Sequence, residues 1–187
     1  MSALLKLPES YEESFHIDLQ KDKKLAILVN AISLIIFVPI IIIGNFISPI
    51  SHFFNDGILS LILFVAGCAV YIILHELVHG IFMRIFSKVR PNYGFTSLYA
   101  YAGSDAYFDK THYIIIALAP VVIWGIVLAA LCVITNGTRW FWIMYLIEGM
   151  NLSGAAGDLY VTWRFLKLPR DILIQDSGIA MTVYTRK

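Results

Sequence analysis

The chain has 187 residues, of which 59% are hydrophobic and 14% charged, and its formal net charge is +1. Soluble domains are about half apolar, so this composition indicates a membrane protein and argues against an ordinary soluble domain. The near-neutral charge disfavours nucleic-acid binding, which needs a basic surface. The length suits one domain, and we predict a single membrane-embedded domain over residues 1–187.

Four apolar stretches are each long enough to form a transmembrane helix, which needs about 20 residues. In chain order they are Leu25–Ile47, Ile58–Phe86, Tyr113–Ile134 and Trp140–Phe165. The sequence therefore predicts an α-helical integral membrane protein with about four transmembrane helices. Of the fourteen Lys and Arg residues, only Arg139 falls on the side opposite the two termini. This positive-inside bias predicts that both termini are cytoplasmic.

Three shorter segments have the composition of β-strands. Asn92–Phe108 is rich in Tyr, Phe and Thr, and its turn signal at Gly103–Asp105 predicts a β-hairpin. Asp171–Tyr184 predicts a second hairpin that turns at Asp176–Gly178, and the alternating pattern of Ser14–Leu19 adds a strand. We expect a small cytoplasmic β-layer, with plain surface loops as the alternative.

The second apolar stretch contains the motif His75-Glu76-Leu77-Val78-His79. Residues four apart project from one face of a helix, so both imidazoles can bind one zinc ion. Glu76 lies beside them and can act as general base. Unpaired polar groups at membrane depth cost several kcal/mol, which argues against chance retention of all three.

A catalytic zinc site needs a third protein ligand and an open position for water. Five residues are candidates for that ligand: Asp158, Glu148, Asp105, Asp109 and His112. The second and fourth stretches both run from the outer to the cytoplasmic face, so the depths of their residues can be compared along straight helices. His75 lies about 26 Å along the helix axis from Ile58. Asp158 lies about 27 Å past Trp140, whereas Glu148 lies only about 12 Å past it. Depth therefore favours Asp158, although a carboxylate at a helix end also pairs with basic side chains.

Two further polar residues lie in the fourth apolar stretch. Asn151 is two helical turns before Asp158, and the small residues Gly154 and Ala155 between them would let another helix approach closely. An interhelical hydrogen bond is one role for Asn151. Glu148, near the middle of the bilayer, is a possible functional residue, or is protonated or hydrogen-bonded to a neighbouring helix.

Five segments together resemble a family of small bacterial membrane proteins classed as zincin peptidases. They are LHELVHG at Leu74–Gly80, RPNYGF at Arg90–Phe95, YIIIALAP at Tyr113–Pro120, NLSGAAGDLYV at Asn151–Val161 and QDSG at Gln175–Gly178. The chain is more distantly similar to the site-2 protease clan of intramembrane metalloproteases. These resemblances imply that His75, His79 and Asp158 bind metal, that Glu76 is the catalytic base and that Asn151 positions substrate. They also imply a location in the bacterial cell membrane.

The leading hypothesis is a zinc metalloendopeptidase that hydrolyses a peptide or membrane-protein substrate near the cytoplasmic membrane face. Two imidazoles and a carboxylate suit zinc, with iron and manganese as alternatives that the sequence leaves open. The hairpin at Asn92–Phe108 resembles the element on which such enzymes hold substrate as an added strand. The alternative is a non-catalytic membrane regulatory or binding protein with a structural or vestigial metal site. A weaker third hypothesis is metal or proton transport through Glu148. The sequence implies no particular oligomeric state.

Overall fold

The computed structural model describes residues 3–96 and 99–187, and the ordered elements in them are six helices and six short strands. The helices are α1 (Lys23–Ile47), α2 (Ser51–Phe54), α3 (Ile58–Ser87), α4 (Lys110–Thr135), α5 (Phe141–Gly154) and α6 (Ala156–Leu166). The strands are β1 (Tyr11–Ile17), β2 (Asn92–Phe95), β3 (Ala100–Gly103), β4 (Tyr107–Asp109), β5 (Leu173–Asp176) and β6 (Met181–Arg186).

Three helices, α1, α3 and α4, are long and apolar enough to cross a membrane. They have 25, 30 and 26 residues, against the roughly 20 that a bilayer requires. Their surfaces expose large apolar side chains such as Phe46, Ile58 and Val133. Exposed apolar surface of this extent is unfavourable in water and is satisfied by lipid tails. The predicted helical fold is thus confirmed, and three of its helices are candidate membrane spans.

The fourth apolar stretch forms two helices rather than one. Helix α5 ends at Gly154 and α6 begins at Ala156, and Ala155 between them has a ψ angle of 9°. Each piece is shorter than about 20 residues, so the predicted count of four spans is not confirmed. Glycine disfavours the helix interior, and Gly154 and Gly157 flank this break. A Cβ added at Gly154 would meet no described atom within 4 Å, so the expected helix contact is not made there.

A four-stranded antiparallel sheet has the order β1-β6-β5-β4. Its core includes Phe108, Ile174 and Val183, one from each of β4, β5 and β6, and all three are fully buried. The hairpin β5–β6 turns at Gly178, which has a φ of +84° that glycine adopts without strain. The predicted second hairpin and the predicted strand near Ser14–Leu19 are therefore confirmed.

Contacts of the Tyr113 hydroxyl bind the start of α4 to the β5–β6 hairpin, and one of them is to the Met181 sulfur at 3.1 Å. The Tyr113 hydroxyl donates a 2.5 Å hydrogen bond to Oδ2 of Asp176. The backbone N–H of Gly178 donates to the other carboxylate oxygen at 2.8 Å. Because Asp176 is almost completely buried, these donors compensate a carboxylate that water does not reach.

The prediction for Asn92–Phe108 was right about a hairpin and wrong about its turn. Strands β2 and β3 pair antiparallel and are joined by residues 96–99, of which 97 and 98 lie outside the described residues. Gly103 ends β3, and the chain then passes to β4 in the other sheet. A Cβ at Gly103 would lie 2.3 Å from the Ser177 carbonyl carbon. This glycine is required by a close backbone approach and not by a hairpin turn.

The chain divides into two compact units. The first comprises Met1–Leu28, Glu76–Pro120 and Asp158–Lys187 and contains the four-stranded and two-stranded sheets. The second comprises Val29–His75 and Val121–Gly157, and its core is built around Tyr71, Leu128, Trp142 and Ile147. Helix α3 contributes to both units and is unbroken where the division falls, between His75 and Glu76. A single domain over residues 1–187 stays a prediction.

Candidate metal centre

Helix α3 supplies two of the predicted ligands. His75 and His79 are one turn apart on this continuous helix, so their imidazoles project from the same face. His79 is buried, whereas His75 and Glu76 are half-buried. The helix thus presents two nitrogen ligands and one carboxylate without any help from a flexible loop.

The third predicted ligand lies against the second histidine. Nε2 of His79 is 3.7 Å from Oδ1 of Asp158, which is in the first turn of α6. Two ligand atoms bound tetrahedrally to one zinc ion at about 2.1 Å are about 3.4 Å apart. The observed separation is close to that value. It is also longer than a good hydrogen bond, so the pair has the spacing of two metal ligands.

One ligand atom from each of His75, His79 and Asp158 forms a cluster in which all three atoms lie within 4.8 Å of one another. In the part of the chain that the structure describes, no other His, Cys, Asp or Glu joins this group. Three protein ligands leave one tetrahedral position open, as in catalytic zinc sites. The donor set therefore fits zinc.

The ring orientation of His79 independently fits a metal ligand. Its Nδ1 is 2.9 Å from the backbone carbonyl oxygen of Ile116. A carbonyl only accepts, so Nδ1 carries a proton, and in the neutral ring the lone pair is then on Nε2, which faces Asp158. Metal-binding histidines in proteins commonly donate their second ring N–H to a carbonyl or carboxylate in this way.

The other candidate ligands are used elsewhere. Asp109 accepts a hydrogen bond from the backbone N–H of His112 at 3.0 Å and pairs with its ring nitrogen at 2.6 Å. This pair closes the first turn of α4. Oε2 of Glu148 accepts a 3.1 Å hydrogen bond from Nδ2 of Asn151. Asp105 is exposed in the loop before β4. The structure thus brings Asp158, and none of these four residues, to the histidines.

Two residues near the motif are not among the sequence predictions. The Tyr71 hydroxyl is 2.9 Å from Nδ1 of His75 and donates to Oδ1 of Asn151 at 2.9 Å. A Cβ at Gly80 would lie 2.1 Å from the hydroxyl oxygen of Tyr93, so β2 covers α3 directly beside His79. Tyr71 precedes His75 by one helical turn on the same face, but this spacing alone does not distinguish it from an aromatic residue of the core.

A family comparison agrees with this geometry. Residues 68–173, more than half of the chain, match the family model described as "Putative zincin peptidase". The chain belongs to this zincin family. The matched region contains both histidines, Glu76, Asn151 and Asp158, so the whole candidate site lies inside it. No curated protein and no solved structure matches the chain. Membership of the zincin family is consistent with a metallopeptidase and implies zinc as the metal.

Proposed function

We propose that this zincin is a membrane-bound zinc metalloendopeptidase that cleaves a peptide or membrane-protein substrate near the cytoplasmic membrane face. The observation that carries the proposal is the cluster of His75, His79 and Asp158 within 4.8 Å on and beside the motif helix. Nε2 of each histidine and one oxygen of Asp158 would hold the ion. The asymmetry of Lys and Arg supports cytoplasmic termini in the bacterial cell membrane.

A zinc ion in such a site supplies Lewis-acid chemistry, which makes water a better nucleophile and polarises the scissile carbonyl. The remaining chemistry belongs to Glu76. Its carboxylate takes a proton from the attacking water as the new carbon–oxygen bond forms at the scissile carbon. It returns that proton to the amide nitrogen as the carbon–nitrogen bond breaks. Proton transfer of this kind contributes about 10²–10⁴ to the rate.

The β2–β3 hairpin is our candidate for the substrate-binding element. Strand β2 pairs with β3 on one side, and no other described strand pairs with it. Its residues are mostly exposed, and Tyr93 on it touches Gly80 next to His79. An extended peptide could add to this edge through backbone hydrogen bonds. A helical substrate would first have to unwind, because its amides are satisfied internally.

The experiment that tests the proposal compares the wild-type protein with Glu76→Gln in detergent or liposomes. Bound zinc and cleavage of membrane-anchored peptides are measured on the same samples. We expect the Glu76→Gln variant to retain zinc and to lose hydrolysis by about 10²–10⁴-fold, because only the proton acceptor is removed. Glu12→Gln, on exposed β1, is the matched control and should retain both.

Two outcomes would contradict the proposal. Full hydrolysis by Glu76→Gln would remove Glu76 from the mechanism. Zinc held by the wild-type protein without exchangeable water and without hydrolysis would favour a structural site. A closed structural site has four protein ligands, and the cluster offers three among the described residues.

A further inference from the structure

A chain of hydrogen bonds leads from a backbone carbonyl of α4 to the first histidine of the motif. The side-chain amide of Asn151 joins the Val121 carbonyl to the Tyr71 hydroxyl, which in turn contacts His75. We propose that Tyr71 and Asn151 are positioning residues. They hold the ring form (tautomer) of His75 in which Nδ1 carries the proton and the lone pair of Nε2 can bind a metal ion. This inference rests on the metal site of the proposed function.

The donor and acceptor in each of these hydrogen bonds can be assigned by starting from the Val121 carbonyl. The Val121 carbonyl only accepts, so the atom of Asn151 that is 3.2 Å from it must be the amide nitrogen. That nitrogen also donates to Oε2 of Glu148 at 3.1 Å. The amide oxygen of Asn151 therefore faces Tyr71 and accepts its hydroxyl proton at 2.9 Å.

Tyr71 has a single hydroxyl proton, which it donates in the hydrogen bond to Asn151. The contact of 2.9 Å between the Tyr71 oxygen and Nδ1 of His75 must then be donated by the histidine. A neutral imidazole carries one N–H, so a proton on Nδ1 leaves the lone pair on Nε2. In the other ring form the proton would lie on Nε2 and block metal binding there.

The two histidines thus reach the same ring form by different routes. His79 donates directly to the Ile116 carbonyl. His75 donates to the Tyr71 oxygen, and Tyr71 donates to the Asn151 amide. That amide is held in place by its hydrogen bonds to two acceptors. Asn151 has no solvent exposure at all. Complete burial suits an internal positioning role, whereas a substrate-positioning Asn151 would have to reach the surface of the site.

The first test observes the ring form of His75 without any metal. Protein labelled with ¹⁵N-histidine is purified with chelator, and the His75 signals are identified by their loss in His75→Ala. We expect the Nδ1–H form in the wild-type protein and a shift towards the Nε2–H form in Asn151→Leu. Without Asn151, the Tyr71 proton is available to Nδ1 of His75. An unchanged ring form in Asn151→Leu would overturn the proposal.

The second test measures zinc affinity by competition with a chelator. Losing a hydrogen-bond partner of a metal-binding histidine costs about 10–100-fold in affinity. We expect that loss for Tyr71→Phe and for Asn151→Leu, with the double variant no weaker than the worse single variant, because both act through one chain. The matched control is Tyr145→Phe, which removes a similar 2.8 Å hydrogen bond to the Ile40 carbonyl remote from the motif.

The outcomes separate this inference from the proposed function. Wild-type zinc affinity in both single variants, or an equal loss in Tyr145→Phe, would overturn the positioning role while leaving the peptidase proposal intact. Asn151→Leu with full zinc affinity but no hydrolysis would assign Asn151 to the substrate and also overturn it. Absence of zinc binding by the wild-type protein would overturn the metal site, and with it this inference.

Discussion

Replacing Tyr113 by Phe removes one hydroxyl, which lies 3.1 Å from the Met181 sulfur and faces a buried carboxylate. It donates at 2.5 Å to Asp176, whose carboxylate is almost completely buried. A hydrogen bond to a charged group contributes about 1.5–3 kcal/mol to stability. For a chain of 150–250 residues this corresponds to a melting temperature lower by about 3–12 °C. We expect Tyr113→Phe to lose stability by that amount.

The loss of stability in Tyr113→Phe should depend on pH. Burial raises the pKa of Asp176, and Asp158 raises it further, while donation by Tyr113 and Gly178 and the charge of His79 lower it. A carboxyl group with a raised folded-state pKa destabilises the fold as pH rises from its ordinary value through the raised one. Tyr113→Phe raises that pKa further. The difference between variant and wild type should therefore be largest at neutral pH and shrink as the pH falls.

Unfolding equilibria in detergent micelles, measured at several pH values, would check both statements. Tyr184→Phe is the control, because its hydroxyl makes a long 3.4 Å contact with the neutral side chain of Gln175. Combining Tyr113→Phe with Asp176→Asn should give less than the sum of the two losses, since both disrupt the same contact. Wild-type stability in Tyr113→Phe, or a difference that grows in acid, would refute the reasoning.

Three further predictions concern the site, the fold and the orientation. Asp158→Asn should weaken zinc binding by more than about 100-fold, as measured by chelator competition. This exceeds the loss of about 10–100-fold that follows when a ligand loses only a supporting hydrogen bond. Gly103→Ala should destabilise the chain by about 1–3 kcal/mol in thermal unfolding, because its Cβ would meet the Ser177 backbone. A cysteine at Asn136 should react with an impermeant maleimide in intact cells, whereas one at Lys187 should react only after permeabilisation.

The first two of these predictions have a control variant, and all three have a contrary result. Exposed Asp171→Asn should bind zinc as the wild type does, and equal binding by Asp158→Asn would remove the third ligand. Gly154→Ala, where no described atom is within 4 Å, should be tolerated, and an equal loss there would discount the clash at Gly103. Labelling of a cysteine at Lys187 in intact cells would show that the C-terminus is outside and would contradict the predicted orientation.

The sequence predicted the parts of this molecule that depend on period and spacing. The apolar stretches predicted the three long helices, and the i, i+4 histidines predicted a shared helix face. Depth along two helices favoured Asp158 as the third ligand, and Asp158 lies 3.7 Å from His79 in the structure. The break at Ala155 was missed, because small residues also occur within continuous transmembrane helices.

Other features depend on contacts that spacing does not encode. Gly103 was predicted to form a turn, but glycine is equally required where two backbones approach closely. Tyr71 was overlooked because an aromatic residue in an apolar helix usually packs in the core. Its role became visible only when Asn151 was placed beside it, and those two residues belong to separate stretches of the chain.

The 3.7 Å approach of His79 to Asp158 joins two elements that α4 and α5 separate along the chain. An ion bound there would stabilise the folded chain by mass action, because the ligands from α3 and α6 come together only in the fold. Ligand present at 100 times its dissociation constant stabilises a fold by about 2.7 kcal/mol. The lifetime of this protein in the cell would then follow the zinc supply, and starvation for the metal would expose the chain to proteolysis as well as silence the site.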